Sequence, residues 1–370
     1  MWFMKSACPK RMLNGPCGGY HGNLCEDPEL RCVWIEAFNR LREFGKEKEL
    51  FRLKLDAMFR IRDYNPPRKR LRDYIISTRD FFMIYEYLPR KDLSLGSLES
   101  DLKKIFEIYD GLDIVQNPGG RPLADPLALA SIAKKFYPEK KIGIQITGRD
   151  YDRDGIVSHV VASLSIGIDT IVATTGDLKF YERRSYGVWD LDSVRMIYLI
   201  RLISDLGRDY AGRKVYSGNN KILVGASLNP YLNPIEPEIY KIKMKLDAGA
   251  YFFVTQPIFS KDTLDKLFLS IKRILGLEPQ DLDIVIGLSP ILDERTLHFL
   301  KERSNIEIPE KITRSLKESS KSKILENYIS HIADLLSEIE DTLISKILYI
   351  STYGDLEAGL FVAERLREIL

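Results

Sequence analysis

Short apolar runs recur along this chain at a steady interval, with longer amphipathic stretches between them. The runs are "FFMIYEYL" (Phe81–Leu88), "LDIVQ" (Leu112–Gln116), "KIGIQITG" (Lys141–Gly148), "TIVATTGD" (Thr170–Asp177), "ILVGASL" (Ile222–Leu228), "YFFVTQP" (Tyr251–Pro257), "DIVIGLS" (Asp283–Ser289) and "KILYIST" (Lys346–Thr352). Each is rich in β-branched or aromatic residues and ends in polar residues or glycine, the pattern of a buried parallel strand. Between them, stretches such as "SLESDLKKIFEIYDG" and "EIYKIKMKLDAGA" carry the helical period, and "DLEAGLFVAERLREIL" closes the chain in the same way. Eight strand–helix units in succession predict a (β/α)8 TIM barrel. An open doubly wound sheet is the alternative. No G-x-G-x-x-G follows a strand, so a dinucleotide fold of that type is unsupported.

Ahead of the barrel, helical spacing runs from Val33 to Tyr64 with a break expected at Gly45. "NPPRKR" (Asn65–Arg70) reads as a linker. The expected division is a Cys-rich and helical segment over 1–75 and a barrel over 76–370.

Composition narrows the function. The 370 residues are 45% hydrophobic, and the net charge is only +2. Nucleic-acid binding usually needs a concentrated basic face, so no such partner is expected. The start lacks a signal-peptide core and no apolar run has the length of a spanning helix, so a cytoplasmic protein without a membrane partner is the expectation. All four cysteines, Cys8, Cys17, Cys25 and Cys32, fall near the start of the chain. In a reducing compartment such a cluster points to metal ligands before disulfides.

Parallel barrels carry their chemistry at the C-terminal ends of the strands. Here those ends bear Glu86, Gln116, Asn117, Gln145, Thr147, Asp177, Ser227, Asn229, Gln256, Ser289, Ser351 and Thr352. This mouth has many neutral hydrogen-bonding groups and two carboxylates, which suits a flat heteroaromatic cofactor and a similar substrate. Glu86, between tyrosines, is a candidate general acid with a raised pKa; a buried ion pair is its alternative. Asp177 is a candidate for stabilising positive charge, with helix capping as its alternative. Gln256 is either a ligand contact or a satisfied core amide. No histidine-based triad stands out.

Several of these motifs resemble the methylenetetrahydrofolate reductase family. "YEYLPR" (Tyr85–Arg90) resembles the family's F-E-F-F-P-P-R. "GRDYDRDGIVSHVVASLSIGIDTIVATTGD" (Gly148–Asp177), "GVWDLDSV", "VGASLNPYLNP", "KMKLDAGAYFFVTQPIF" and "IGLSPIL" follow in the family's order. The resemblance implies a barrel that binds FAD, or FMN, and reduces 5,10-methylenetetrahydrofolate or a related pterin to its 5-methyl form. It implies Glu86 as the acid, Asp177 as the carboxylate facing the developing cation, and Gln256 as a folate contact. Gln145, Thr147, Thr175, Gly176, Trp189, Glu238 and Lys245 are its implied cofactor contacts. Glu238 stands where an aspartate is expected, Gln145 where some members have histidine, and Thr296 where some have a folate-contacting glutamine.

The segment "CPKRMLNGPCGG" with Cys25 and Cys32 resembles a Cys-bearing piece found at the end of some bacterial reductases and in an accessory subunit. Its spacing fits neither zinc-finger nor ferredoxin patterns. Zn²⁺, a [4Fe–4S] cluster or four free thiols remain open at those cysteines, and Lys10 and Arg11 beside Cys8 favour thiolates. The electron donor is NAD(P)H or a reduced carrier. A homo-oligomer or a partner subunit stays open as well. The competing functional reading is a flavin-binding assembly or electron-relay subunit that docks a partner through the cysteines.

Overall fold

The computed structural model describes residues 7–68, 70, 71, 74, 81–178, 187–317, 320–339 and 345–370. The expected boundary between 75 and 76 lies outside the described residues.

All eight apolar runs form strands: β1 Phe82–Tyr87, β2 Gly111–Ile114, β3 Lys141–Thr147, β4 Thr170–Thr174, β5 Leu223–Leu228, β6 Phe252–Pro257, β7 Ile284–Leu288 and β8 Ile347–Ser351. They pair in parallel and in sequence order, and β8 closes on β1. This is the expected (β/α)8 barrel. The helices, in chain order, are α1 Val33–Arg42, α2 Leu95–Ile108, α3 Pro126–Phe136, α4 Arg153–Ile166, α5 Ser193–Leu206, α6 Glu236–Asp247, α7 Lys261–Leu275, α8 Glu294–Ser304, α9 Glu310–Ser315, α10 Lys321–Ile339 and α11 Leu356–Ile369. Short side-chain caps start many of them: Ser94, Asp125, Asp152, Asp192, Ser260, Asp293 and Asp355 each accept a first-turn N–H. None of the helices among the described residues is long and apolar enough to cross a membrane.

Two glycines admit large neighbours into the barrel. A Cβ on Gly225 would lie 2.3 Å from the Phe252 ring, and one on Gly143 would lie 2.7 Å from Asp113 Oδ1 and 2.2 Å from Thr170 Oγ1.

The N-terminal segment departs from expectation beyond Gly45. α1 ends where predicted, and Gly45 takes φ +65°. Residues 46–64 then form a single 3-10 turn, Glu47–Leu50, and an irregular strap rather than a helix. The strap is held by the barrel's helices. Phe51 stacks on Tyr240 at 4.9 Å, and Phe59 meets Tyr198 and Tyr210 edge-on. Asp56 pairs with Arg195 at 2.7 Å and Arg153 at 3.1 Å. These side chains satisfy the helical period by accident, and tertiary contacts override it. The linker is docked too: Arg201 donates to the Pro67 carbonyl at 3.1 Å.

Candidate active site

Side chains on alternate strand positions point into the barrel. Glu86 on β1 pairs in register with Asp113 on β2 and Ser351 on β8. Ser351 Oγ donates to Glu86 Oε1 at 2.5 Å. Tyr349, two residues earlier, donates its hydroxyl to Asp113 Oδ2 at 2.7 Å and lies beside the Glu86 carboxyl. Gln145 on β3 donates through Nε2 to both Asp113 Oδ2 and Tyr349 Oη at 3.0 Å. Burial pushes the Glu86 carboxyl above its usual range, against the hydrogen bonds from Ser351 and Tyr349; the nearby Asp113 charge pushes the same way as burial. Burial likewise raises Asp113. No Lys or Arg is among the groups acting on either carboxyl, so the ion-pair alternative for Glu86 is not what the described residues form.

Higher on the mouth the geometry is fixed by Asp150. Its Oδ2 accepts from Thr147 Oγ1 at 2.8 Å and Asn117 Nδ2 at 3.1 Å, and Arg149 binds both oxygens at 2.8 Å. Burial would raise the Asp150 carboxyl, but the guanidinium outweighs it and holds the group below the usual range. The buried Arg149 also donates to the carbonyls of Asn117 and Asp177, tying the loops after β2 and β4 together.

Asp177 is exposed at the mouth, where its Oδ2 accepts from Gly119 N at 2.9 Å. The next described helix is capped by Asp192, so Asp177 is not a helix cap among the described residues. Gly176 turns with φ +85°, and a Cβ there would press Arg149 and Thr147 at 3.0 and 3.1 Å. Trp189 is buried with φ +49°, and Lys10 of the Cys-rich segment lies 5.4 Å from its ring centroid. Gln256 on β6 is half-buried and shares its face of the strand with the barrel-lining Val254. Glu238 and Lys245 do not line the mouth: both are buried on α6. Lys245 Nζ donates to the Ser227 carbonyl at 2.6 Å, and Glu238 Oε1 accepts from Asn229 N at 3.3 Å. Burial lowers the Lys245 pKa to about 8, opposed by Glu238. Thr296 sits in the first turn of α8, its N–H bonded to the capping Asp293.

The Cys-rich segment lies against this mouth. Lys10 bonds Glu26 and donates to the Gly176 carbonyl at 2.7 Å, while Leu178 N donates to Glu26 Oε1 at 2.7 Å. The four thiols are close enough to sense one another's charge. Backbone N–H groups bond the sulfurs of Cys8 (Lys10, Met12), Cys25 (Asp27) and Cys32 (Ile35, Trp34). Yet among the described residues no three His, Cys, Asp or Glu side chains form a set that could hold a metal ion. The ligand set expected at Cys8, Cys17, Cys25 and Cys32 is therefore not assembled. The effect expected of Lys10 and Arg11 is overridden at Cys8 as well: burial raises that thiol, and it pushes Cys25 to about 11 and Cys32 to about 12.

Reading strand ends found Glu86, Gln145 and Thr147 but missed Asp113, Tyr349, Arg149 and Asp150. Asp113 did leave a signal, as a carboxylate inside the apolar run "LDIVQ".

Fold and site together define a closed parallel α/β barrel whose mouth combines neutral hydrogen-bonding groups with an acid raised by burial. The methylenetetrahydrofolate reductase family model matches residues 71–354, and the chain belongs to that family. A second model, described as methylenetetrahydrofolate reductase C terminal, matches residues 3–60, here at the opposite end. A probable methylenetetrahydrofolate reductase (NADPH) from Caenorhabditis elegans is 23% identical over 265 residues, spanning 68% of this chain and 37% of that relative. This chain thus matches little more than a third of that relative's length. A Clostridium thermocellum protein that binds two copies of 5-methyl-5,6,7,8-tetrahydrofolic acid superposes with a TM-score of 0.54 at 18% identity, over 78% of this chain and 96% of that one. That likeness bears on the fold.

Proposed function

We propose that this protein reduces 5,10-methylenetetrahydrofolate, or a closely related methylene-pterin, to the 5-methyl form at the mouth of its barrel. The observation that carries the reading is Glu86: a carboxyl raised by burial, bonded by Ser351, set beside Tyr349 and Asp113, and with no cation acting on it among the described residues. A carboxyl raised in this way keeps its proton to higher pH than a free one and can protonate a leaving amine. Opening the five-membered ring of the substrate needs that proton at one nitrogen, and positive charge then develops at the other. Asp177 supplies a fixed carboxylate at the rim, oriented by Gly119 N, to face that charge. Gln256 holds the pterin by its amide.

The mouth fits a flavin, FAD or FMN. Gln145 and Thr147 give neutral polar contacts, Gly176 and Thr175 form a turn without bulk, and Trp189 closes the side. A bound flavin supplies the hydride. Glu238 and Lys245 serve it indirectly, by setting α6 against β5. The reductant is NAD(P)H, or a reduced carrier arriving over the cysteine segment. We further propose that the four cysteines take Zn²⁺ or an iron–sulfur cluster once their sulfurs draw together, a reading supported by the backbone amides already directed at three of them.

Glu86→Gln tests the assignment. Flavin reduction should proceed within about twofold of the parent rate, while folate reduction should fall by at least about a hundredfold. Rapid-mixing absorbance of the flavin bands reads both half-reactions separately. Equal loss of both would remove Glu86 from the acid's role. Protein that purifies colourless and takes up no flavin would favour the relay-subunit reading instead. Metal analysis of the same sample decides between zinc, iron and neither.

A further inference from the structure

The cluster around Glu86 continues away from the mouth. Below it, a cavity of about 130 Å³ occupies the N-terminal end of the barrel, with Ile84, Asp113, Gly143, Val172, Val254 and Tyr349 on its wall. The exposed Lys141 and Lys221, at the starts of β3 and β5, line its outer part. Asp113 thus reaches both spaces. Its Oδ2 holds Tyr349 and Gln145, while its Oδ1 is buried with no hydrogen-bond partner among the described residues. A buried carboxylate oxygen left without a donor is costly. The glycine at 143 is what leaves it room.

Hydrogen counting gives this arrangement a function. Tyr349 has one hydroxyl hydrogen and two carboxyl neighbours. When it donates to Asp113, as it does here, a bond between its oxygen and Glu86 requires Glu86 to carry the hydrogen. When it donates to Glu86, Asp113 must carry it. The three side chains thus have a path along which one proton can pass between Glu86 and Asp113 through Tyr349, and Gln145 donates to Asp113 Oδ2 and Tyr349 Oη beside it.

We propose that Asp113 and Tyr349 form a proton relay that recharges Glu86 from the basal cavity, on the side of the barrel opposite the substrate. The inference rests on Glu86 being the acid of the proposed reaction. That reaction consumes a hydride and a proton, and bound substrate and cofactor cover the mouth through which water would otherwise reach Glu86. Once Glu86 has passed its proton to the substrate nitrogen, two carboxylates face one hydroxyl, and proton uptake is favoured. Asp113 takes a proton from water in the cavity, which is polar on one wall and roomy enough to admit it. The carboxyl turns so that the oxygen carrying the new hydrogen meets Tyr349; the Tyr349 hydrogen then moves to Glu86 as the Asp113 hydrogen moves to Tyr349, and the net change is one solvent proton delivered through the cavity water to Glu86. Asp113 and Tyr349 are positioning residues: neither touches the substrate.

Other groups face the cluster. Ser351 bonds Glu86, and the Tyr85 and Tyr353 hydroxyls lie close enough to sense its charge. Burial raises both tyrosines, which therefore stay neutral across the working pH range.

The test uses flavin-loaded full-length protein and the isosteric variants Asp113→Asn and Tyr349→Phe. Steady-state kcat should fall about tenfold in each, with KM for folate unchanged within about twofold and a larger solvent deuterium effect on kcat. Infrared spectra of the substrate-free protein give a second readout. The carboxylic-acid C=O stretch that disappears in Glu86→Gln should shift in Tyr349→Phe. Variants that match the parent in kcat and solvent isotope effect, with an unshifted band, would overturn the relay while leaving Glu86 as the acid. If Glu86→Gln itself still reduces folate, the assignment of the acid fails, and the relay fails with it.

Discussion

Glu86 illustrates how a single residue trades stability for chemistry. The sign of its pH dependence follows from the raised folded-state pKa. Below the usual carboxylate range the group is protonated in folded and unfolded chains alike. As pH rises through that range the unfolded chain ionises first, and stability falls until the folded group ionises too. Asp113 acts in the same direction. Glu86→Gln should therefore stabilise the protein by about 1 kcal/mol at pH 8 and by much less at pH 4. Urea unfolding at the two pH values measures the difference; equal gains at both would mean that the carboxyl is not raised. The residue proposed as the acid was visible in the sequence, as a glutamate among tyrosines in an apolar strand. Its partners were less so. Asp113 and Tyr349 sit a layer below the strand ends, and a one-dimensional reading of termini passes over that layer. Glu238 and Lys245 show what spacing alone leaves open. Seven residues apart, they share a helix face, but that face turns inward on β5 rather than toward the mouth.

Strands were the most readable elements. Their two faces are both largely buried, so each appears as a mostly apolar run, and eight such runs alternating with helical stretches pointed to the barrel ahead of an open sheet. The strap over 46–64 was not readable, since its conformation is set by groups far along the chain. One of those groups is Asp192. It caps α5 through Arg195 N at 3.1 Å, accepts from Leu13 N and Asn14 N at 3.1 and 3.2 Å, and pairs with the buried Arg195. Burial would raise its pKa, but Arg195 and the backbone donors hold it below the usual range. One carboxylate thus joins a barrel helix to the N-terminal segment. Asp192→Ala removes a cap and leaves Arg195 with Asp56 as its remaining ion-pair partner among the described residues, and it should cost about 3–5 kcal/mol. Hydrogen exchange should then speed up at Leu13 and Asn14 before it does in the strands. Uniform acceleration throughout would show that the segment has no local role.

At the scale of the whole molecule, the cysteine segment and the barrel share one loop. Lys10 is the joint: its ammonium is buried among Glu26, the Gly176 carbonyl and the Trp189 ring. Burial alone would lower its pKa, but the charges of Cys17, Glu26 and Asp177 outweigh that and raise it, so it stays charged at any working pH. The glycine turn assigned to the cofactor is therefore held from outside by a cation that belongs to the cysteine segment. Lys10→Met keeps the stem's packing and removes the charge, leaving the partly buried Glu26 without its cation. The expected result is a loss of about 3 kcal/mol of stability and weaker flavin retention, since Gly176 and Leu178 lose their common anchor. Fluorescence of released flavin during dilution measures the retention. Lys10→Arg preserves the charge and should recover most of it. If Lys10→Met holds flavin as tightly as the parent, the loop after β4 is set by Arg149 alone, and the cysteine segment sits beside the site without shaping it.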